Sequence, residues 1–228
     1  MNKVTGKSFN EIRDYIMKNS VQAKPIAEPI DKEACHREQE RVWLAGKKPV
    51  VGGSVHTYLK GRLGEFPDVL KNIKQYKEDM IARVTDVNGA GVNVHRTFLS
   101  VRPDKSVHKT DKKVMKGELP KGSAIRLAPI AKTIGVAEGI ETALSAKILF
   151  GVPTWSLISA VGMINWIPPE EVDTVIIYGD NDENYAGQSA AYQLANKLVA
   201  RYHKKVEIRL PPAKGADWND MIQYRHMI

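Results

Sequence analysis

Val175-Ile176-Ile177-Tyr178-Gly179-Asp180-Asn181-Asp182 is a run of three β-branched residues and a tyrosine that closes on a glycine and an Asp-Asn-Asp. A short apolar run bounded by turn formers predicts a strand buried on both faces. Two other pieces have the same character. Val136-Ala137-Glu138-Gly139-Ile140-Glu141 lies upstream, and Lys214-Gly215-Ala216-Asp217-Trp218-Asn219-Asp220 lies downstream. In each, the carboxylates follow an apolar stretch or open a helix. Working outward, strands are predicted over Thr133–Ala137, Thr154–Ile158, Val172–Tyr178 and Lys205–Leu210. They alternate with helices over Ile140–Phe150, Ala186–Tyr202 and Asp217–Tyr224. This alternation indicates an α/β fold, a mainly parallel sheet flanked by helices. Such a sheet presents its ligand site at the carboxyl ends of its strands. Carboxylates gathered there commonly hold Mg²⁺ for phosphate chemistry.

The chain has 228 residues, 43% of them hydrophobic, enough for one large domain or two small ones. No run of eighteen apolar residues exists, so no membrane span is expected, and Met1–Lys7 carries no apolar signal core. Cys35 is the single cysteine, which excludes an internal disulfide and a cysteine-based zinc site. A cytoplasmic protein is expected. The net charge of +8 is unevenly spread: residues 1–132 hold 26 Lys/Arg against 15 Asp/Glu, and residues 133–228 hold 8 against 11. A basic half attracts a polyanion, and the other half collects the acids that would hold metal. Most lysines, however, are simply solvated surface.

The first half reads as α+β. Phe9–Asn19 is a short helix with Ser8 as N-cap and Glu11 three residues on, and Ser20–Ile30, with two prolines, is a linker. Asp31–Ala45 is a charged helix with Ala34, Val42 and Leu44 on its apolar side, closed by Gly46. Ser54–Lys60 is a second helix. Asp79–Asp86 and Val92–Val101 alternate as strands around a turn at Val87–Gly91. Residues 102–122 are basic and turn-rich, and Ala124–Leu127 is a short strand. The expected organisation is an N-terminal helix and linker (1–30), a basic α+β subdomain (31–132) and a metal-binding α/β domain (133–228).

Each candidate residue has an ordinary reading beside the functional one. Asp180 and Asp182, two apart at a strand end, point to one side if the backbone stays extended. Their repulsion would be relieved by a divalent cation, but Asp-Asn-Asp is also a common turn. Glu138 and Glu141 fit the positive end of a helix dipole, and Asp217 and Asp220 fit an N-cap and first-turn acid. Gly187 allows close backbone approach or serves packing. Trp43, Tyr58 and Trp155 are candidates for base stacking or for the core, and Trp166 is expected to pack at a helix end.

At these residues the chain resembles a Toprim domain, the metal-binding module shared by DNA primases, type IA and type II topoisomerases and some nucleases. Glu138-Gly139 after the first strand, Asp180-Asn181-Asp182 after a later one, and Asp217 with Asp220 match its pattern over roughly residues 133–225. Asn184 and Tyr185 depart from it, widening the loop before Ala186-Gly187. In the first half, Val94-His95-Arg96-Thr97-Phe98-Leu99, Lys112-Lys113-Val114-Met115-Lys116-Gly117 and Ala124-Ile125-Arg126-Leu127 resemble the segment preceding Toprim in phage and mobile-element primases of the DnaG-like type. Lys3–Glu11 resembles the stretch that follows a primase zinc ribbon. That cysteine-rich ribbon has no counterpart here, nor does a Walker-type loop.

The resemblance implies a primase catalytic core, a DNA-directed RNA polymerase that makes short RNA primers from ribonucleoside triphosphates on single-stranded DNA during replication. It implies Glu138, Asp180 and Asp182 as catalytic residues, and these with Asp217 as ligands for Mg²⁺, with Mn²⁺ as a substitute. Arg96, Lys112, Lys113 and Arg126 are candidates for nucleotide or template contacts. A replicative helicase is the implied partner. A Toprim-type metal-dependent nuclease and a non-catalytic single-stranded nucleic-acid-binding protein remain the alternatives.

Overall fold

A computed structural model of the chain describes residues 8–19, 31–67 and 71–225. The expected linker over 20–30 and the segment Lys3–Lys7 lie outside these residues. Residues 1–30 and 31–228 form separate compact units. In the first, α1 spans Phe9–Asn19 and opens with the predicted reciprocal cap: Ser8 N–H donates to Glu11 Oε2 (2.7 Å), and Glu11 N–H donates to Ser8 Oγ (3.4 Å).

The second unit begins with α2 (Lys32–Ala45) and α3 (Ser54–Leu63). Asp31 caps α2 by accepting from Ala34 N–H at 2.9 Å. Of the residues expected on the apolar side of α2, Val42 is buried but Leu44 is 73% exposed, and the uncharged Gln39 is buried instead. Gln39 Nε2 donates to Lys116 O at 2.9 Å, so a hydrogen bond acts beside the packing of Val42 on Ile81 and Val94 in fixing that face. Next in the chain comes one antiparallel sheet of four strands in sequential order: β1 (Ile73–Tyr76), β2 (Asp79–Thr85), β3 (Gly91–Val101) and β4 (Val107–Val114). The stretch read as turn-rich thus contains a strand. Its Lys, His and Asp content hides it, because β4 is an edge strand with mostly exposed side chains.

The β3–β4 register decides which basic side chains share a face. His95 faces Val114, Arg96 faces Lys113 and Thr97 faces Lys112. Beyond an irregularity at Phe98/Leu99, Leu99 faces Lys109. Directly opposed residues share a sheet face. Lys109 and Lys112, three apart, therefore lie on one face because a bulge separates them.

From Thr133 the parallel sheet is built as expected. Its strands are β5 (Thr133–Ala137), β6 (Thr154–Ser156), β7 (Thr174–Tyr178) and β8 (Lys205–Arg209), in the order β6-β5-β7-β8. The helices are α4 (Ile140–Phe150), α5 (Ala160–Asn165), α6 (Ala186–Tyr202) and α7 (Trp218–Arg225). The chain leaves β5 for β6 on one side and returns to β7 on the other, so the topological switch point lies between the carboxyl ends of β5 and β7. Ala124–Leu127 is not a strand of its own. Ala124 bridges to Thr85 of β2 and Ile125 to Ser156 of β6, and this stitches the two sheets together.

Alternating residues of β5 and β7 face two cores. Ile134, Val136, Val175 and Ile177 pack against Leu194 and Leu198 of α6 and against Trp155 and Trp166. Ala137, Ile176 and Tyr178 share the other core with α4, α3, Trp218 and the antiparallel-sheet residues Met80, Ala82, Val84 and Leu99. Full burial of such aliphatic side chains contributes about 1.5–3 kcal/mol each. Trp155 and Trp166 meet edge to face at 6.4 Å, and Trp166 caps α5. Tyr58 and Trp155 are core residues, not exposed stacking platforms. Trp43 is partly buried beneath Lys74.

One polar network crosses the shared core. The Glu141 carboxylate, in the first turn of α4, accepts from Tyr58 of α3 at 2.5 Å and from Lys109 of β4 at 3.1 Å. Burial alone would raise its pKa. Lys109, the Tyr58 hydroxyl and its own backbone amide outweigh that and hold it down at about 2. Tyr58→Phe strips one donor from a buried charge and is expected to cost about 1–3 kcal/mol in urea unfolding. A loss below about 0.5 kcal/mol would mean that water replaces the hydroxyl.

His95 is buried in β3, on the face of Thr97 and Leu99. Burial pushes its imidazole down to about 4, against the pull of Glu141, with Lys112 and Lys109 adding to the drop. Its folded pKa lies below the ordinary 6.5, so the unfolded chain binds the proton first as pH falls. His95 therefore contributes a stability loss that grows as pH drops from about 6.5 to about 4, reaching at most about 3 kcal/mol. The difference between wild type and His95→Gln isolates this contribution from carboxylates titrating in the same window. Parallel stability-versus-pH curves for the two proteins would contradict it.

Candidate metal centre at the strand switch point

Glu138 follows β5 directly, and Asp180 and Asp182 follow β7 after Gly179. The two strands are neighbours, with Ala137 opposite Tyr178, so the three acids emerge side by side at the switch point. Asp217 approaches from the loop between β8 and α7, the next strand over.

The electrostatics bind these four into one site. Asp180 is raised to about 7 by burial first, then by the charges of Asp217, Glu138 and Asp182. Lys112 alone opposes. Glu138 is raised by burial, with Lys112 lowering it and Asp182 raising it. Asp217 is raised by burial, against hydrogen bonds from the Asp220 and Asn219 amides. A carboxyl group that resists ionisation because it is buried, with other anions nearby, would be stabilised in its charged form by a bound cation.

The individual side chains are held differently. Asp182 does not simply point beside Asp180: its Oδ2 accepts from Gly187 N–H at 2.8 Å and thus ties it to the start of α6. Gly187 is required for this approach. A Cβ there would lie 2.7 Å from Asp180 O and 3.0 Å from Asp182 Oδ2. Asp217 carries out the N-cap role as well: its Oδ1 accepts from Asn219 N–H (2.7 Å) and Asp220 N–H (2.9 Å), while Asp220 Oδ2 accepts from Asp217 N–H (3.0 Å). Asp180 Oδ1 is buried and meets no hydrogen-bond donor. An orphaned carboxylate oxygen in an all-carboxylate set fits a hard divalent cation such as Mg²⁺ or Mn²⁺. Among the described residues, no three Asp, Glu, His or Cys side chains stand close enough to chelate an ion as placed. The acids share an electrostatic field in this conformation.

The basic candidates divide. Lys112 sits opposite Thr97, on the carboxylate face of the antiparallel sheet, and its charge reaches Glu138 and Asp180. Lys113 and Arg96 pair on the opposite face. There Arg96 is bound to Asp79 at 2.6 Å and both lie near the Phe98 ring. Arg126 stacks on Trp155 at 4.7 Å and donates to Asp86 O (3.1 Å) and Val87 O (2.8 Å), bracing the β2–β3 turn. Of the four, only Lys112 is brought to the acids.

Sequence reasoning passes over two asparagines that frame Asp217. Asn181 joins the Asp180 loop to the 211–217 loop. Asn219 is fully buried, and its Nδ2 donates to Arg62 O (2.7 Å) and Ser145 Oγ (2.9 Å). The signal open to a sequence reader is an amide, not a charge, inside each acidic motif. The Glu141 network also escapes sequence reasoning, which makes Glu141 a dipole-facing helix acid.

The family model of the Toprim domain matches residues 133–226. No curated protein sequence matches the chain. Several solved structures are similar to it, among them the following three. The primase fragment of the bacteriophage T7 primase-helicase protein aligns at TM-score 0.48 and 21% identity, over 94% of this chain and 82% of that one. The Escherichia coli primase catalytic core aligns at 0.44 and 14%, over 94% and 69%. A DNA primase domain from Pseudomonas aeruginosa aligns at 0.43 and 13%, over 66% and 48%, so the chain spans about half the length of that domain. The fold reading rests on the observed sheet order and on the domain match. Over residues 133–226, less than half of the 228, the chain is similar to Toprim domains.

Proposed function

We propose that the chain is a primase catalytic core that joins ribonucleoside triphosphates into short RNA primers on single-stranded DNA. The observation that carries this reading is the convergence of Glu138, Asp180, Asp182 and Asp217 at the switch point, with Asp180 raised to about 7 first by burial and then by the charges of the other three. The Toprim match over 133–226 supports it. In the reaction, a 3′-hydroxyl oxygen bonds to the α-phosphorus of the next triphosphate, the bond to the β-phosphate oxygen breaks, and pyrophosphate leaves. Bound divalent cations would supply charge neutralisation and in-line orientation of the phosphates. Asp180, Asp182 and Asp217 would hold them, and Glu138 serves as a further ligand or as the acceptor of the hydroxyl proton. Lys112, whose charge acts on Glu138 and Asp180, would offset part of a bound triphosphate's negative charge. The basic region around β4 would receive the template backbone.

The remaining assignments belong to the same proposal. Residues 31–132 act as a nucleic-acid-handling subdomain and residues 133–228 as the metal-binding one. A replicative helicase is the partner, and the cytoplasm is the place of action. No helix among the described residues is long and apolar enough to cross a membrane.

The test is incorporation of labelled ribonucleotides on mixed single-stranded DNA with Mg²⁺ or Mn²⁺. Asp180→Ala and Asp182→Ala are expected to abolish product while circular dichroism stays native. Full activity in both would refute the metal assignment, and DNA or RNA degradation in place of synthesis would transfer the site to a nuclease. Lys112→Ala and Lys113→Ala form a second, internally controlled test. Removing Lys112 is expected to lower kcat/KM for nucleotide about tenfold or more, whereas Lys113, on the far face, changes it by less than about threefold. Equal effects would mean that the face of the sheet does not matter.

A further inference from the structure

We propose that Asn181, the residue between the two aspartates, is a positioning residue that fixes the spacing of Asp217 from Asp180 and Asp182 and thereby sets the affinity of the acidic site for a divalent cation. This inference rests on the reading of that site as a metal centre and goes further, since it names the part that holds the two acidic loops together.

Asn181 uses its backbone and side-chain polar groups in five hydrogen bonds. Its backbone N–H donates to Ala216 O at 3.0 Å, and its carbonyl accepts from Gly215 N–H at 2.6 Å. The side-chain Nδ2 donates to Pro211 O at 2.9 Å and to Ala213 O at 3.2 Å. The side-chain Oδ1 accepts from Gln188 Nε2 at 2.8 Å, and Gln188 also donates to Asp182 O at 2.9 Å. Four of the five bonds run to the segment 211–216, which leads straight into Asp217. The fifth runs to α6, the helix whose Gly187 N–H holds Asp182.

The 211–217 segment has no strand or helix of its own. Its far end is held by the α7 cap and by Asn219, but no regular element within the segment ties it to β7. Meanwhile the charges of Asp180 and Asp217 oppose each other across the gap between their loops. Asn181 supplies the restraint. An amide is the side chain suited to this place, because it donates two bonds to carbonyls and accepts a third at one planar group. A carboxylate would keep the Gln188 bond, forfeit both donors and add another negative charge to the cluster. Groups that orient metal ligands commonly change metal affinity by roughly 10–100-fold when removed.

The experiment measures binding of Mn²⁺ alone to the full chain, by the electron paramagnetic resonance signal of the free ion, alongside thermal melting. Wild type, Asp180→Ala, Asn181→Ala and Gln188→Ala are compared. Asn181→Ala is expected to bind Mn²⁺ about tenfold or more weakly, and Gln188→Ala several-fold more weakly. The concentration of Mg²⁺ giving half-maximal incorporation should rise in parallel, with the rate at saturating metal largely restored. A wild type that binds no Mn²⁺, or an Asp180→Ala that binds it equally well, would remove the metal reading and this proposal with it. Loss in Asp180→Ala with unchanged binding in Asn181→Ala and Gln188→Ala would leave the metal reading intact and overturn the positioning role. If Asn181→Ala fails to fold, Gln188→Ala decides: weakened binding in a protein with a native melting profile supports the proposal, and wild-type binding defeats it.

Discussion

Four carboxylates crowd the carboxyl end of a parallel sheet, and their mutual repulsion is the constraint that the surrounding structure answers. A protein interior of low dielectric magnifies that repulsion, so a site of this kind cannot be left to flexible loops. Three of the acids, and the loops that carry them, are tied down by different devices. Glu138 is placed by the end of β5, Asp182 by the amide of Gly187, Asp217 by its own helix cap, and the two loops by Asn181. Lys112 reaches in from the other sheet with a charge of opposite sign. The architecture stores unfavourable electrostatic energy at one point and spreads the compensation over the hydrogen bonds around it. A folded protein accepts such local conflict where chemistry is to be done.

The second sheet participates through the shared core. Met80, Ala82, Val84 and Leu99 pack with α3 and α4, and the Tyr58–Glu141–Lys109 network runs through the same layer. Glu141 is therefore more than a helix-dipole acid. It is the anchor that joins β4 to the helix following Glu138. Position along the chain says little about this, because Lys109 and Glu141 are 32 residues apart.

Much of the parallel half is legible in the sequence because β5, β6 and β7 are largely buried and read as mostly apolar runs. β5, α4 and α6 fall at their predicted ends, and the order of the acids comes from the alternation of strand and helix. The antiparallel half is less legible for a physical reason. β4 is an edge strand whose exposed lysines carry no hydrophobic period, and β1 is four residues long. The face assignment of the basic residues is invisible for the same reason. Counting charges puts Arg96, Lys112, Lys113 and Arg126 together, whereas Arg96 is committed to Asp79 and Arg126 to a turn. Polar clamps such as Asn181 and Asn219 carry no periodicity and no charge, so only their contacts reveal them.

The bulge opposite Phe98 and Leu99 acts as a phase shifter in β4. In a regular strand, residues three apart lie on opposite faces, so Lys109 and Lys112 could not both serve the acidic side. The single extra residue lets one lysine neutralise the structural acid Glu141 while the other addresses the acids of the proposed metal site. Adding or removing one residue between them would turn one of these charges outward without altering composition at all. The spacing of two lysines, more than their number, thus couples the assembly of the two sheets to the charge balance of the site.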